Sequence, residues 1–249
     1  MNHQVHANIK NQILQNLENI HNRIAKACAN SGRNTDEVKL MLVTKTVPVP
    51  IIRMVLEQGE SLIGENLVPE LENKIEELKD EDRPHIHFIG QIKETEINQL
   101  ARHVECIQSV DHYSEAFQLN EVMGEMNKKM DVLIQVNTSR RDTPYGISPA
   151  HTIGLAMQIA RLENLRLKGL MTLGMFDTTP ELARNCFRLL RNLFDELRFL
   201  KIPGVHMEIL SMGMSDHLEI AIEEGSTMVR IGTAIFGERE TPDSFYWQE

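Results

Sequence analysis

Lys45 closes the run Val38-Lys39-Leu40-Met41-Leu42-Val43-Thr44-Lys45-Thr46, a nearly continuous apolar stretch of the kind that forms a strand buried on both faces. A lysine at the end of such a strand either snorkels its ammonium into water or is partly desolvated. In the second case its pKa falls, and the amine can form a Schiff base with an aldehyde near neutral pH. Two later stretches have a different chemistry. Leu210-Ser211-Met212-Gly213-Met214-Ser215-Asp216 and Gly225-Ser226-Thr227-Met228-Val229-Arg230-Ile231-Gly232-Thr233-Ala234-Ile235-Phe236-Gly237 are apolar runs ending in small residues that carry N–H groups and hydroxyls. That is how a phosphate site is built. Arg230 lies inside the second run, where a buried guanidinium is costly without a partner. It either forms a structural salt bridge or donates to a ligand atom.

The rest of the chain must bring these groups together. Ile9, Ile13, Leu17, Ile20 and Ile24 recur at helical spacing, so residues 1–32 are expected to hold a long helix that stops near Asn30 and packs on the bottom or side of the fold. Strands are then expected over 38–46, 61–66, 86–90, 105–110, 131–137, 165–173, 207–210 and around 228–231. Helices are expected from Pro48 to Gly59 and over 68–78, 94–101, 114–126, 149–161 and 180–200. Ser215 reads as the N-cap of a further short helix through Leu218, Ala221 and Ile222, closed by Gly225. Eight strands, each but the last followed by a helix, predict a single α/β domain, a (β/α)8 TIM barrel with an extra N-terminal helix and a short tail at 239–249. In such barrels the loops after strands seven and eight commonly hold a phosphate.

Composition agrees with one globular unit of 249 residues, 41% hydrophobic and 25% charged. A net charge of -10 leaves no basic stripe for nucleic acid. No apolar run reaches the length of a membrane span and the N-terminus lacks a signal-peptide layout, which points to the cytoplasm. Cys28, Cys106 and Cys186 are widely separated, without metal-ligand spacing, and read as reduced thiols.

The segments LVTKTVP around Lys45, IGEN around Asn66, HFIG around Phe88, KGLMT around Met171, SMGMS around Ser211 and GSTMVRIGTAIFG around Arg230 resemble the pyridoxal phosphate homeostasis protein family. These proteins look like the N-terminal barrel domain of alanine racemase standing alone. The resemblance implies pyridoxal 5′-phosphate carried on Lys45 as a Schiff base, with Asn66 beside it. It also implies phosphate held by Ser211, Gly232 and Thr233 with Met212 and Ser215 nearby, and Arg230 facing the pyridine nitrogen. A cation there disfavours ring protonation and makes the ring a weak electron sink. The racemase takes a catalytic tyrosine from a second domain, for which no place is expected here beyond strand eight, and Tyr113, Tyr145 and Tyr246 have no evident claim to its role.

Two departures from the family pattern remove positive charge. Gln91-Ile92-Lys93-Glu94-Thr95-Glu96 carries acid where lysine is usual, and Thr143-Pro144-Tyr145-Gly146 lacks the usual lysine before its glycine. The leading expectation is a monomeric carrier that holds and releases the cofactor with little or no catalysis, with apo-enzymes that require it as partners. The alternatives are an amino-acid racemase working in one domain, and a barrel that binds another phosphorylated metabolite with Lys45 acting in aldolase fashion.

Overall fold

The computed structural model describes residues 3–78, 83–139, 145–175 and 178–238. Eight parallel strands close into a barrel: β1 (Lys39–Val43), β2 (Leu62–Glu65), β3 (His85–Phe88), β4 (Cys106–Val110), β5 (Met130–Gln135), β6 (Leu165–Met171), β7 (Val205–Ser211) and β8 (Met228–Ile231). Each pairs with the next, and β8 returns to β1 with Leu40 opposite Val229 and Met41 opposite Arg230. The connecting helices are α2 (Val49–Leu56), α3 (Val68–Glu77), α4 (Ile97–His103), α5 (Tyr113–Glu125), α6 (Thr152–Ile159), α7 (Pro180–Leu200) and α8 (Leu218–Glu223). The expected (β/α)8 barrel is therefore the observed one, with α1 (His3–Asn30) as its additional N-terminal helix.

Local chemistry sets these elements. Pro180 opens α7 in its first turn, where its missing N–H costs nothing, the Thr179 hydroxyl accepts from the Leu182 N–H, and the chain leaves the helix through Lys201 in the left-handed region. The strands read as apolar runs because both of their faces are covered: Leu42, Ile107, Val132 and Leu167 sit in the main apolar core. The buried face of α1 is Ile13, Leu17, Ile20, Ile24 and Ala27. It lies against the side of the barrel, beside α2, α8 and the last helical turn α9 (Thr233–Phe236). Arg33, just past its end, donates to the carbonyls of Ile222 and Ser226 at 2.8 Å, and so ties down the C-terminus of α8.

Two expectations change. The last strand is also followed by a helical turn, α9, that starts at Gly232. Residues 44–46, 136–137 and 172–173 were expected inside strands and lie beyond their ends. Thr44, Val136 and Thr172 each still donate an N–H to the next strand, at Gly64, Met171 and Ser211, while the side chains of Thr44 and Thr172 turn to Glu65 and Thr138 at the C-terminal face of the barrel. The expected 239–249 tail, with Trp247, falls outside the described residues.

Close strand approach also constrains β6. A Cβ placed on Gly169 would stand 1.7 Å from the Ile209 carbonyl oxygen, a backbone atom that cannot swing away. Gly169→Ala is expected to lower the unfolding free energy by about 3 kcal/mol, read as a fall in the urea midpoint with little change in slope.

Candidate functional site

Lys45 follows β1 at the C-terminal face of the barrel and is buried, with 7% of its surface exposed. The backbone on both sides of it is pinned by α3. Lys74 Nζ donates to the Thr44 carbonyl at 2.6 Å and to Glu65 Oε1 at 2.7 Å, and it pairs with Glu70 at 2.6 Å. The Thr44 hydroxyl donates to the same Glu65 oxygen, and the Thr46 N–H donates to Glu70. Thr46 itself has φ 64°, a left-handed conformation that a β-branched residue adopts only when its surroundings impose it. Burial pushes the Glu65 carboxyl up, although Lys74 and Thr44 favour its ionised form. This cluster escapes a motif search, yet it sets the direction in which Lys45 leaves the strand.

Arg230 is 2% exposed, within β8. Its Nη1 donates to Ser211 Oγ and its Nη2 to the Thr172 carbonyl, both at 2.7 Å. Among the described residues it makes no ion pair, so the salt-bridge alternative is not what the fold builds. A guanidinium has five N–H donors, and two neutral oxygens leave capacity for a further acceptor. Burial draws its pKa down to about 10, which still leaves a cation at neutral pH.

Ser211, expected at the phosphate, is here the acceptor for Arg230. As the last residue of β7 it turns its hydroxyl into the barrel, accepting from Arg230 and donating to Gln108 Oε1 at 2.7 Å. Met212 is fully buried in the apolar core, its N–H donates to the Met228 carbonyl, and its own carbonyl accepts from Ser226. Its backbone N–H and carbonyl are thus both engaged within the fold.

Ser215, Gly232 and Thr233 are brought together at the neighbouring corner. Gly232 precedes α9 at its N-cap position, and the Ala234 N–H within that turn donates to Ser215 Oγ at 3.3 Å. Ser215 does not cap α8 as expected. That helix starts two residues later with His217 at its N-cap, while Gly225 does close it with φ 96°. The loop is held from outside by α1: Arg23 donates to the Ser215 carbonyl at 2.9 Å and forks onto both carboxylate oxygens of Glu219. Asn16 donates to the Ile235 carbonyl at 3.0 Å.

Asn66, just beyond β2, is buried, and its Oδ1 has no hydrogen-bond partner. A Cβ on Gly90 would stand 2.0 Å from the Asn66 carbonyl, so the loop after β3 fixes where Asn66 sits by contact. Of the two departures in charge, Glu96 is paired with Lys93 at 3.6 Å, while Thr143 and Pro144 lie outside the described residues, as does Tyr246. Tyr113 is exposed and packs on Phe117. Sequence reasoning missed Thr172, Gln108 and His87, which extend the Arg230 contacts across the barrel. A glutamine inside β4, a fully buried strand, was the signal that could have found one of them.

One group of acids sits at the start of α5. The ligand atoms of Asp111, His112 and Glu115 converge within 4.8 Å. Their bonding capacity is spent locally: Asp111 accepts from the Gly146 N–H and from His112 Nδ1, and Glu115 accepts from the N–H groups of Asp111 and His112. The cluster closes the helix start and anchors the loop after β5. Burial, and then the Asp111 charge, push the Glu115 carboxyl up to about 7, against the opposing pull of those N–H groups.

Known proteins resemble the chain over most of its length. The model of the alanine racemase N-terminal domain matches residues 15–240. A pyridoxal phosphate homeostasis protein of Aquifex aeolicus is 39% identical over 226 residues, covering 91% of this chain and 98% of that protein. A crystal structure from Bifidobacterium adolescentis superposes with TM-score 0.88 at 32% identity over 92% of this chain and 96% of that one. PipY of Synechococcus elongatus, solved with PLP bound, superposes with TM-score 0.75 at 29% identity over 86% of this chain and 100% of its own.

Two outcomes follow from the site's supports. Because the Glu115 pKa is raised on folding, its contribution to stability is complete below the unfolded-state value and is lost as pH rises through about 7. Urea titrations from pH 5 to pH 8 should therefore show a decline in stability that Glu115→Gln flattens. Arg23→Ala should release the Ser215 loop, with hydrogen exchange at Ala234 accelerating by about ten-fold for the loss of roughly 1.4 kcal/mol of local stability.

Proposed function

The chain belongs to the family of the alanine racemase N-terminal domain, and on that premise we propose that it is a pyridoxal 5′-phosphate-binding protein of vitamin B6 and amino- and keto-acid homeostasis. The observation that carries this reading is a buried lysine at the C-terminal face of the barrel together with a buried arginine in β8 that has no carboxylate partner among the described residues. The names of the relatives and the PLP-bound PipY structure support it.

The residues present suit that group. Lys45 is the amine for its aldehyde, the unpartnered Asn66 Oδ1 is a buried polar atom on the neighbouring strand end, and Arg230 keeps N–H donors for the ring nitrogen. Ser215, Gly232 and Thr233 form a corner of hydroxyls and helix-start N–H groups suited to a phosphate. When bound, the cofactor supplies a carbonyl that exchanges between amines and a ring that can take up electron density. The protein decides how far that capacity is used. A guanidinium held at the ring nitrogen opposes its protonation, so Arg230 favours holding the cofactor over stabilising a carbanion.

We read the protein as one domain, working as a monomer in the cytoplasm and passing its cofactor to apo-enzymes that need it. Cys28, Cys106 and Cys186 are buried and form no disulfide among the described residues, which suits a reducing compartment. No helix among the described residues is long and apolar enough to cross a membrane.

The test is the visible absorbance spectrum of the purified protein after addition of pyridoxal 5′-phosphate, then borohydride reduction and peptide mass mapping. The reduced adduct is expected on Lys45, and Lys45→Ala should lose it while its far-ultraviolet circular dichroism stays unchanged. An adduct that persists in the variant would remove Lys45 from the site. Rapid exchange of an amino acid's Cα hydrogen with deuterated solvent would replace the carrier by a racemase-type enzyme.

A further inference from the structure

The contacts of Arg230 do not end at Ser211. Gln108 on β4 accepts the Ser211 hydroxyl at Oε1, and its Nε2 lies 2.8 Å from His87 Nδ1 on β3 and 3.2 Å from Met228 Sδ. Gln108 is wholly buried and His87 is 9% exposed. This is a continuous polar row across an otherwise apolar barrel interior, from Arg230 to a cavity of about 940 Å³ at the N-terminal strand ends, which His87 lines.

With the Gln108 amide oxygen turned to Ser211, as it stands in the structure, the row has one direction. A guanidinium can only donate, so Ser211 Oγ must accept from Arg230. The single serine hydrogen then goes to Gln108 Oε1, which leaves the amide nitrogen to donate to His87. His87 Nδ1 must therefore be bare and its hydrogen must sit on Nε2, towards the cavity. Burial, then the charges of Lys39 and His85, lower the His87 pKa to about 4, which keeps the ring a neutral acceptor. Lys39, His85, Glu105, Asp131, Lys168 and Glu208 are among the titratable groups around that cavity, with Asp36, Glu37 and Glu60 also lining it.

We propose that Gln108, braced by His87, is a positioning residue that fixes the Ser211 hydroxyl and through it the aim of the Arg230 guanidinium at the cofactor ring. The proposal rests on the reading of the barrel mouth as a pyridoxal 5′-phosphate site. Without Gln108, Ser211 can turn its hydroxyl elsewhere, and one of the two neutral contacts holding the guanidinium loses its orientation. The Thr172 carbonyl alone permits rotation.

The test has two independent parts. Nitrogen-resolved NMR of the imidazoles, in the protein before the cofactor is added, should show His87 neutral between pH 6 and pH 8 with its proton on Nε2. A proton on Nδ1, or exchange between tautomers, overturns the proposed direction. Titration with pyridoxal 5′-phosphate should then show Gln108→Leu binding roughly three- to ten-fold more weakly, as for the loss of one oriented hydrogen bond, with a displaced absorbance maximum. Gln108→Glu keeps the acceptor for Ser211 and should restore most of the affinity, while its carboxylate raises the His87 pKa. Wild-type affinity and spectrum in Gln108→Leu would reduce Gln108 to a space-filling residue and overturn the proposal. Failure of the wild-type protein to bind the cofactor would instead remove the functional reading, with the His87 tautomer still deciding whether Arg230 directs the row.

Discussion

A guanidinium taken out of water in the middle of a barrel, with no carboxylate among the described residues to neutralise it, is the constraint on which the site depends. Arg230 is held by one hydroxyl and one carbonyl, both neutral. A carboxylate partner would have balanced the charge and absorbed the donors. Neutral oxygens leave the charge in place, and they restrict what surrounds it: Ser211 must accept, Thr172 must turn its carbonyl inward, and a further acceptor is favoured wherever the remaining N–H groups point. A ring nitrogen that should stay unprotonated is such an acceptor.

Lys45 is controlled by different means. Its neighbours on the chain are fixed by the ion cluster of Glu65, Lys74 and Glu70, which lies between the sheet and α3. The left-handed Thr46 shows that the backbone is bent to suit the lysine's surroundings, since isolated threonine avoids that region. Buried ion clusters contribute little net stability once desolvation is counted. Their effect here is geometric, because Lys74 has one place from which it can reach the Thr44 carbonyl, Glu65 and Glu70 together.

The outer helix completes the site from a distance. α1 buries an isoleucine and leucine stripe against the barrel side, and the same helix sends Arg23 to the Ser215 carbonyl and Asn16 to the Ile235 carbonyl. Apolar packing supplies the attachment and two polar side chains supply the register. Strand eight is tied to the same loop by the Arg230 N–H, which donates to the Gly213 carbonyl at 3.0 Å. Movement of α1 would therefore be felt at the corner of Ser215, Gly232 and Thr233.

The sequence by itself determined the barrel and the candidate chemistry of its mouth. Apolar runs alternating with helical periodicity admit few other folds, and Lys45, Asn66, Arg230, Ser215, Gly232 and Thr233 were legible as residue types at strand ends. Only the tertiary structure decided which way side chains at those ends turn. Ser211 and Ser215 are four residues apart in one motif, yet one faces Arg230 inside the barrel and the other meets α9 in the loop. Met212, expected at the site from its place in the motif, is buried in the main apolar core, with its N–H given to the Met228 carbonyl. The partners of Arg230 come from β6 and β7, and the row that continues from them comes from β4 and β3. Contacts between strands that far apart along the chain leave no periodicity to read, since they depend on barrel closure and on the stagger of each strand against the next.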